Sequence, residues 1–283
     1  MSTEPSEEGL KMECQLANIT VHYETVGQGK PFITISGAPS DHRIISSWME
    51  PIFNTRPGWQ RFYFDLPGTG QTHGEDWIHG ADQMLDVICD FIDTVIPGQQ
   101  FALLGLSAGG HYARGVAYRK PALVNGLCLL VPWLSDHQNQ NLPTSVTFVE
   151  NPALLAQFPP REAETFKGLV VIQNQKILDW YRKVVMPARQ GADWEFLDRM
   201  VKNWQFSFDV DEQPFEKPTL IVTGRQDTHV GYQDGWDFLE SYPRATFVVV
   251  DRAGHALGVE QEGLFRVLVN EWLDRVEENV AAQ

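Results

Sequence analysis

The chain is poor in cysteine and in positive charge, and it has no long apolar run. Cys14, Cys89 and Cys128 are its only cysteines in 283 residues. Odd in number and widely spaced, they argue against a disulfide framework. Cys89 and Cys128 sit in apolar runs and read as buried thiols, so a reducing compartment, the cytoplasm, is expected. Lys and Arg number 22 against 37 Asp and Glu, a formal net charge of -15. That surplus repels polyanions, so neither nucleic acid nor an anionic membrane is expected as a partner. No apolar stretch nears the roughly 20 residues that span a bilayer. The polar, acidic start, Met1 to Gly9, has neither the basic nor the apolar segment of a secretory signal. Residues 1–12 read as a disordered acidic tail. His73 and His79 flank Gly74-Glu75-Asp76 but lack a recognised ligand spacing. They read as loop, and neither metal nor other cofactor is expected.

What is present is a core-forming chain with 43% hydrophobic residues, long enough for one α/β domain with an insertion. Ile19–Glu24 alternates as a half-buried strand. Phe32–Ile35 and Arg61–Phe64 are short strand-like runs. Ala81–Val95 carries Met84, Leu85, Ile88, Phe91, Ile92 and Val95 at helical spacing, and Pro97-Gly98 stops it. Strand Phe101–Leu104, a turn and a helix ending near Lys120 follow, then the continuous apolar run Leu127–Val131. From Pro132 to about Pro214 no clear strand occurs, and aromatics crowd helix-like pieces. Alternation resumes with strand Thr219–Val222, a helix near Tyr232–Ser241, strand Ala245–Val250 and a long helix near Gly258–Val276. Such alternation predicts an α/β fold, a mainly parallel sheet flanked by helices. Residues 13–132 and 215–283 form its core, with 133–214 a helical cap inserted after the sixth strand. That insertion lies near the strands' carboxyl ends, where such sheets bind ligands.

Gly105-Leu106-Ser107-Ala108-Gly109 stands between a strand and a helix. A sharp turn there leaves Ser107 on a strained, exposed tip. Flanking glycines remove the Cβ atoms that would clash, and the Ala108 N–H points at a developing oxyanion. A serine nucleophile needs a base and an orienting carboxylate, in the chain order Ser, Asp or Glu, His. Asp227 follows the strand Leu220–Val222 through Gly224-Arg225-Gln226. His255 follows the next strand through Asp251-Arg252-Ala253-Gly254. All three candidates therefore fall on one edge of one sheet.

These pieces, together with Asp65-Leu66-Pro67-Gly68-Thr69-Gly70, resemble the α/β-hydrolase superfamily from about Ile19 to Val276. The resemblance implies a Ser107–His255–Asp227 triad, with Asp136, a few residues past an earlier strand, as the rival acid. It implies a structural role for the Asp65–Thr72 loop and an oxyanion donor at Ala38 beside that at Ala108. The family's usual His-Gly is here Ser36-Gly37, a departure at the oxyanion loop. Trp133, just past a strand's end, is the best single candidate for the substrate pocket. Phe148, Phe158, Phe166, Trp180, Tyr181, Trp194, Trp204, Phe206 and Phe208 read mainly as the cap's own core. His229 reads as solvated loop or pocket rim, and His111 as a packed polar residue.

The activity expected is cofactor-independent hydrolysis of a carboxylic ester-like small molecule through an acyl-enzyme. The same triad serves carbon–carbon, lactone or amide hydrolysis, including proline aminopeptidase action. The last would need carboxylates for the substrate ammonium, with Glu150, Glu162, Glu164 and Glu195 as candidates. A non-catalytic ligand-binding member of the fold is the alternative of another class. Self-association into a homo-oligomer is compatible with the sequence.

Overall fold

The computed structural model describes residues 9–135 and 140–281. Along the chain run β1 (Leu10–Gln15), β2 (Thr20–Val26), β3 (Lys30–Ile35), α1 (Arg43–Phe53), β4 (Trp59–Phe64), α2 (Ala81–Val95), β5 (Phe101–Leu106), α3 (Ala108–Arg119) and β6 (Val124–Leu130). A helical stretch follows: α4 (Pro152–Leu155), α5 (Pro160–Leu169), α6 (Gln175–Trp180), α7 (Met186–Ala188) and α8 (Trp194–Lys202). Then come β7 (Thr219–Gly224), α9 (Gln233–Asp237), β8 (Ala245–Val250), α10 (Leu257–Glu260) and α11 (Glu262–Ala281). The strands form one sheet in the order β1-β2-β4-β3-β5-β6-β7-β8. β1 and β2 pair antiparallel, and so do β2 and β4, while β3 to β8 run parallel. No helix among the described residues is long and apolar enough to cross a membrane.

The expected α/β architecture is therefore observed. One boundary differs: Leu10 to Met12, expected in the tail, belong to β1. Of that strand only Cys14 is buried, so pairing with β2 holds it; its alternation of Leu10, Met12 and Cys14 with Lys11, Glu13 and Gln15 is the strand signal that the tail assignment overlooked. β5 and β6 are buried throughout, as central parallel strands covered on both faces must be. α2 and α3 cover one face, through residues such as Leu85, Ile88, Phe91, Ala113 and Val116. α1 and α11 cover the other, through Ile45, Met49, Phe265, Val269 and Trp272. The strand order reverses between β3 and β5: the chain leaves β3 for β4 on one side and returns to β5 on the other. Loops leaving the ends of β3 and β5 diverge there and open a crevice.

The helices between β6 and β7 hold a small apolar cluster of their own, including Phe158, Phe166, Ile177, Leu178 and Tyr181. Phe166 packs edge-on against Tyr181, ring centroids 5.2 Å apart. α6 continues through a π-helical turn, Tyr181–Val185, into α7. Such a turn bonds residues five apart, which brings Trp180 and Val185 onto one side.

A buried ion cluster lies at the amino end of α1, where His42 is the N-cap. The His42 ring sits between the carboxylates of Asp65 (Nδ1 to Oδ1, 2.7 Å) and Glu24 (Nε2 to Oε2, 3.4 Å). The Asp65 carboxylate also accepts the N–H of His42 and of Gln71. It thereby fixes the glycine-rich loop after β4, where a Cβ on Gly70, φ +54, would meet Asp65 Oδ2 at 2.2 Å. Burial disfavours the His42 charge, but hydrogen bonds from its ring to Asp65 and Glu24, with the nearby charges of Asp65 and Asp41, outweigh it and raise the pKa to about 9. Arg43 engages Asp41. A folded pKa above the unfolded value of 6.5 gives stability that is complete below 6.5 and lost as pH rises through about 9. Urea unfolding at about pH 6 and about pH 9.5 should show a loss near 2–3 kcal/mol in the wild type that is absent from His42→Gln. Equal losses in both proteins would remove His42 from the account.

Candidate active site

Ser107 ends β5 and begins α3 with φ 54 and ψ -119. A left-handed conformation on a non-glycine residue costs on the order of 1–3 kcal/mol and persists only where the surroundings impose it. Here the Ser107 N–H donates to Leu130 O, and its carbonyl accepts from Gly110 and Trp133, each at 2.9 Å. α3 also lies hard against the sheet: a Cβ on Gly109 would sit 2.1 Å from Ile35 O. Gly105 is as confined, 2.4 Å from Gly109 O. Both glycines of the pentapeptide are thus required by close backbone approach. Ala108 is the first residue of α3, so its N–H has no intrahelical acceptor.

Asp227 lies three residues beyond β7 and is fully buried. Its backbone turn is stitched to the loop after β8: Arg225 N–H donates to Val250 O at 2.8 Å and Gln226 N–H to Ala253 O at 3.0 Å. A Cβ on Gly224 would meet Gly254 O at 2.4 Å. One carboxylate oxygen, Oδ1, accepts the N–H of His229 at 2.8 Å and of Val230 at 3.3 Å. The other, Oδ2, meets His255 Nδ1 at 2.7 Å. Burial opposes the Asp227 charge, but the His255 imidazole and the His229 N–H outweigh it and hold the carboxyl below its ordinary range. The structure brings Asp227 and His255 together; Asp136 lies outside the described residues.

Ser107 and His255 line one cavity of ≈ 210 Å³. Its floor is the loop after β3, Gly37 to Ser40, with Leu106 and Ala108 beside it. A Cβ on Gly37 would lie 2.9 Å from Ser107 Cβ, so this loop packs directly on the serine. Ser36 is buried just behind it. The walls are mostly apolar, with Ile44 and Trp48 from α1, Trp133, Leu169, Trp180 and Val185. Trp133 and Ala38 both line this cavity. Trp48, Ile44 and Arg189 were missed, although α1 shows its buried stripe at Ile45, Trp48, Met49, Ile52 and Phe53. Pro51 inside the helix masked that pattern. His229 stands on the rim, its ring 4.9 Å from that of His255. His111 is buried against Phe206 at 4.2 Å, and burial drives its pKa down to about 3. None of Glu150, Glu162, Glu164 and Glu195 reaches the cavity lining.

Among the described residues two trios have donor atoms within 4.8 Å of one another, Asp227 with His229 and His255, and Asp41 with His42 and Asp65. In each, the carboxylates already accept hydrogen bonds from their neighbours, which favours polar networks over ion ligation.

A family model described as serine aminopeptidase, S33, matches residues 53–262. The chain belongs to this family of α/β hydrolases. It is 25% identical over 260 residues to a pimeloyl-[acyl-carrier protein] methyl ester esterase of Legionella pneumophila (strain Corby), covering 90% of this chain and all of that one. A crystal structure of an alpha/beta superfamily hydrolase from Oenococcus oeni PSU-1 superposes with a TM-score of 0.83 at 25% identity, covering 91% of this chain and 96% of that one. An esterase from Thermogutta terrifontis shares the fold, TM-score 0.67 at 19% identity over 95% and 99% of the two chains. The chain is thus a hydrolase.

In this α/β hydrolase the loop bearing His255 is tied to the inserted helices by one buried carboxylate. Glu260 Oε2 accepts the N–H of Gly254 at 2.7 Å. Its Oε1 accepts Val171 N–H at 2.6 Å and Ile172 N–H at 3.0 Å, just past α5. Ala256 N–H donates to Leu169 O at 3.0 Å in the same seam. Burial lifts the Glu260 pKa to about 7 against the pull of these three N–H groups. Sequence periodicity hid this residue, since a glutamate in an amphipathic helix reads as solvated. Glu260→Leu strands three N–H groups and should lower unfolding stability by about 2–4 kcal/mol. Glu260→Gln, which keeps one acceptor, should lose about half of that in denaturant titrations. Identical stability in Leu and Gln variants would show that the seam does not depend on the carboxylate.

Proposed function

We propose that the chain is a cofactor-independent hydrolase of carboxylic esters that works through an acyl-enzyme on Ser107. The observation that carries the reading is the Asp227 to His255 hydrogen bond, in a cavity shared with a serine held in a left-handed turn. An ionised Asp227 fixes the imidazole proton on Nδ1 and leaves Nε2 as the basic nitrogen. His255 takes the hydroxyl proton as Ser107 Oγ attacks the ester carbonyl. The alkoxide departs with that proton and leaves an acyl-serine. Water then adds through the same base, releasing the acid and restoring the hydroxyl. The N–H groups of Ala38 and Ala108 receive the oxyanion, each worth about 3–4 kcal/mol in the transition state. Ser36 in place of histidine leaves that backbone donor set untouched, because a main-chain N–H does not depend on its neighbour's side chain.

The esterase named among the relatives supports an ester bond as the target. Carbon–carbon, lactone and amide hydrolysis remain open to the same groups. Aminopeptidase action draws less support, because among the described residues no carboxylate lines the cavity to meet a substrate ammonium. Strain at Ser107 and a buried acid on the imidazole favour catalysis over ligand binding alone. Buried, free Cys14, Cys89 and Cys128 support a cytoplasmic setting.

Ser107→Ala should lower hydrolysis of p-nitrophenyl butyrate by about 10⁴-fold or more, and Asp227→Asn by about 10⁴-fold. A fluorophosphonate probe should label the wild type and not the Ser107 variant. Undiminished turnover by folded Ser107→Ala would overturn the reading.

A further inference from the structure

Among the described residues, the cavity beside Ser107 is lined by one arginine, no lysine and no carboxylate. That cation is Arg189, which follows α7. Its backbone N–H donates to Val185 O at 3.2 Å and Met186 O at 3.4 Å. The π turn at 181–185 and the helical turn after it place Trp180, Val185 and Arg189 on the same wall. The guanidinium is half-buried and stacks on the ring of Trp194, 5.6 Å from its centroid.

Arg189 lacks the carboxylate partner that the two buried arginines, Arg61 and Arg114, each have. Arg61 pairs with Glu50 and Arg114 with Asp211. Among the described residues no acidic side chain pairs with Arg189, and its charged neighbour Arg161 repels it. Burial and that neighbour press the guanidinium below its ordinary pKa. In a chain with 37 acidic residues against 22 basic ones, a desolvated cation without a counter-ion is costly. A ligand that supplies the counter-ion recovers that cost. Guanidinium forks match carboxylates in two parallel hydrogen bonds. The cavity's ≈ 210 Å³ is below the roughly 300–1,000 Å³ of sites for drug-sized ligands, which selects a short chain.

We propose that Arg189 binds a carboxylate at the far end of the substrate's acyl group. The preferred substrate is then a short dicarboxylic acid esterified at one end only. This deepens the reading of Ser107 as the nucleophile and rests on it. The reaction balances as before: water replaces the alkoxide at the ester carbonyl, the alcohol leaves with a proton, and a dicarboxylate is released. Arg189 touches the distal carboxylate and takes no part in bond breaking. Its contribution therefore falls on substrate binding.

The test compares kcat/KM for monomethyl adipate, methyl hexanoate, the methyl ester of ε-aminocaproic acid and a methyl ester with a terminal phosphonate. The wild type should favour the hemiester over the neutral ester by about tenfold or more, the worth of one charge-assisted hydrogen bond. The amino ester should be the poorest. In Arg189→Gln the hemiester-to-neutral ratio should fall to about one, through KM, and Arg189→Lys should recover part of it. Binding of monomethyl adipate to Ser107→Ala, by calorimetry, reads the same contact without turnover. Its Kd should rise about tenfold or more when Arg189→Gln is added. A wild type that hydrolyses these esters without charge preference, or a ratio unmoved in Arg189→Gln, overturns this proposal and leaves the Ser107 reading standing. Binding that depends on Arg189 in a protein with no esterase activity overturns the Ser107 reading and keeps the carboxylate site. A stronger preference for the phosphonate overturns the assignment to a carboxylate.

Discussion

The backbone of Ser107 can stay in its left-handed well only because α3 is pressed onto the end of β3. With no Cβ at Gly109, the helix comes so near that one added there would stand 2.1 Å from a main-chain oxygen. That approach aims the first amide of α3 at the crevice and pins the loop Gly37–Ser40 against the serine. The site's rigidity follows from backbone packing on central, buried strands, which change little when side chains at the rim vary.

The imidazole half of the site rests on a different device. The turns after β7 and β8 share main-chain hydrogen bonds, and Asp227 spends one oxygen on its own turn and the other on His255. A single carboxylate thus sets both the loop path and the ring orientation. The two halves come from opposite sides of β6 in the sheet, β5 on one side and β7 with β8 on the other, so the sheet's register fixes their relation.

Much of this was legible in the residues themselves. The periods of α2, β5 and β8, the Ser107 pentapeptide and the acid and histidine turns all follow from short-range rules: apolar spacing, glycine at a tight turn, a strand's end. What escaped depends on contacts distant in sequence. β1 alternates Leu10, Met12 and Cys14 with polar residues, but it is short and all of it except Cys14 stays exposed, so its pairing with β2 rather than its own burial makes it a strand. α1 carries an internal proline that a local rule takes as a stop. Glu260 and Arg189 look like surface charges until the helices between β6 and β7 fold over them. Burial of a charge is a tertiary fact, and no window of neighbouring residues encodes it.

The seam at Glu260 has a consequence for how this enzyme could adapt. One carboxylate grips the segment just past α5 and the loop that presents His255. Any rearrangement of those helices that widens the entrance also tugs on the imidazole. Admission of larger molecules and the placement of the His255 ring are therefore mechanically entangled, and remodelling one without disturbing the other would first require cutting that link.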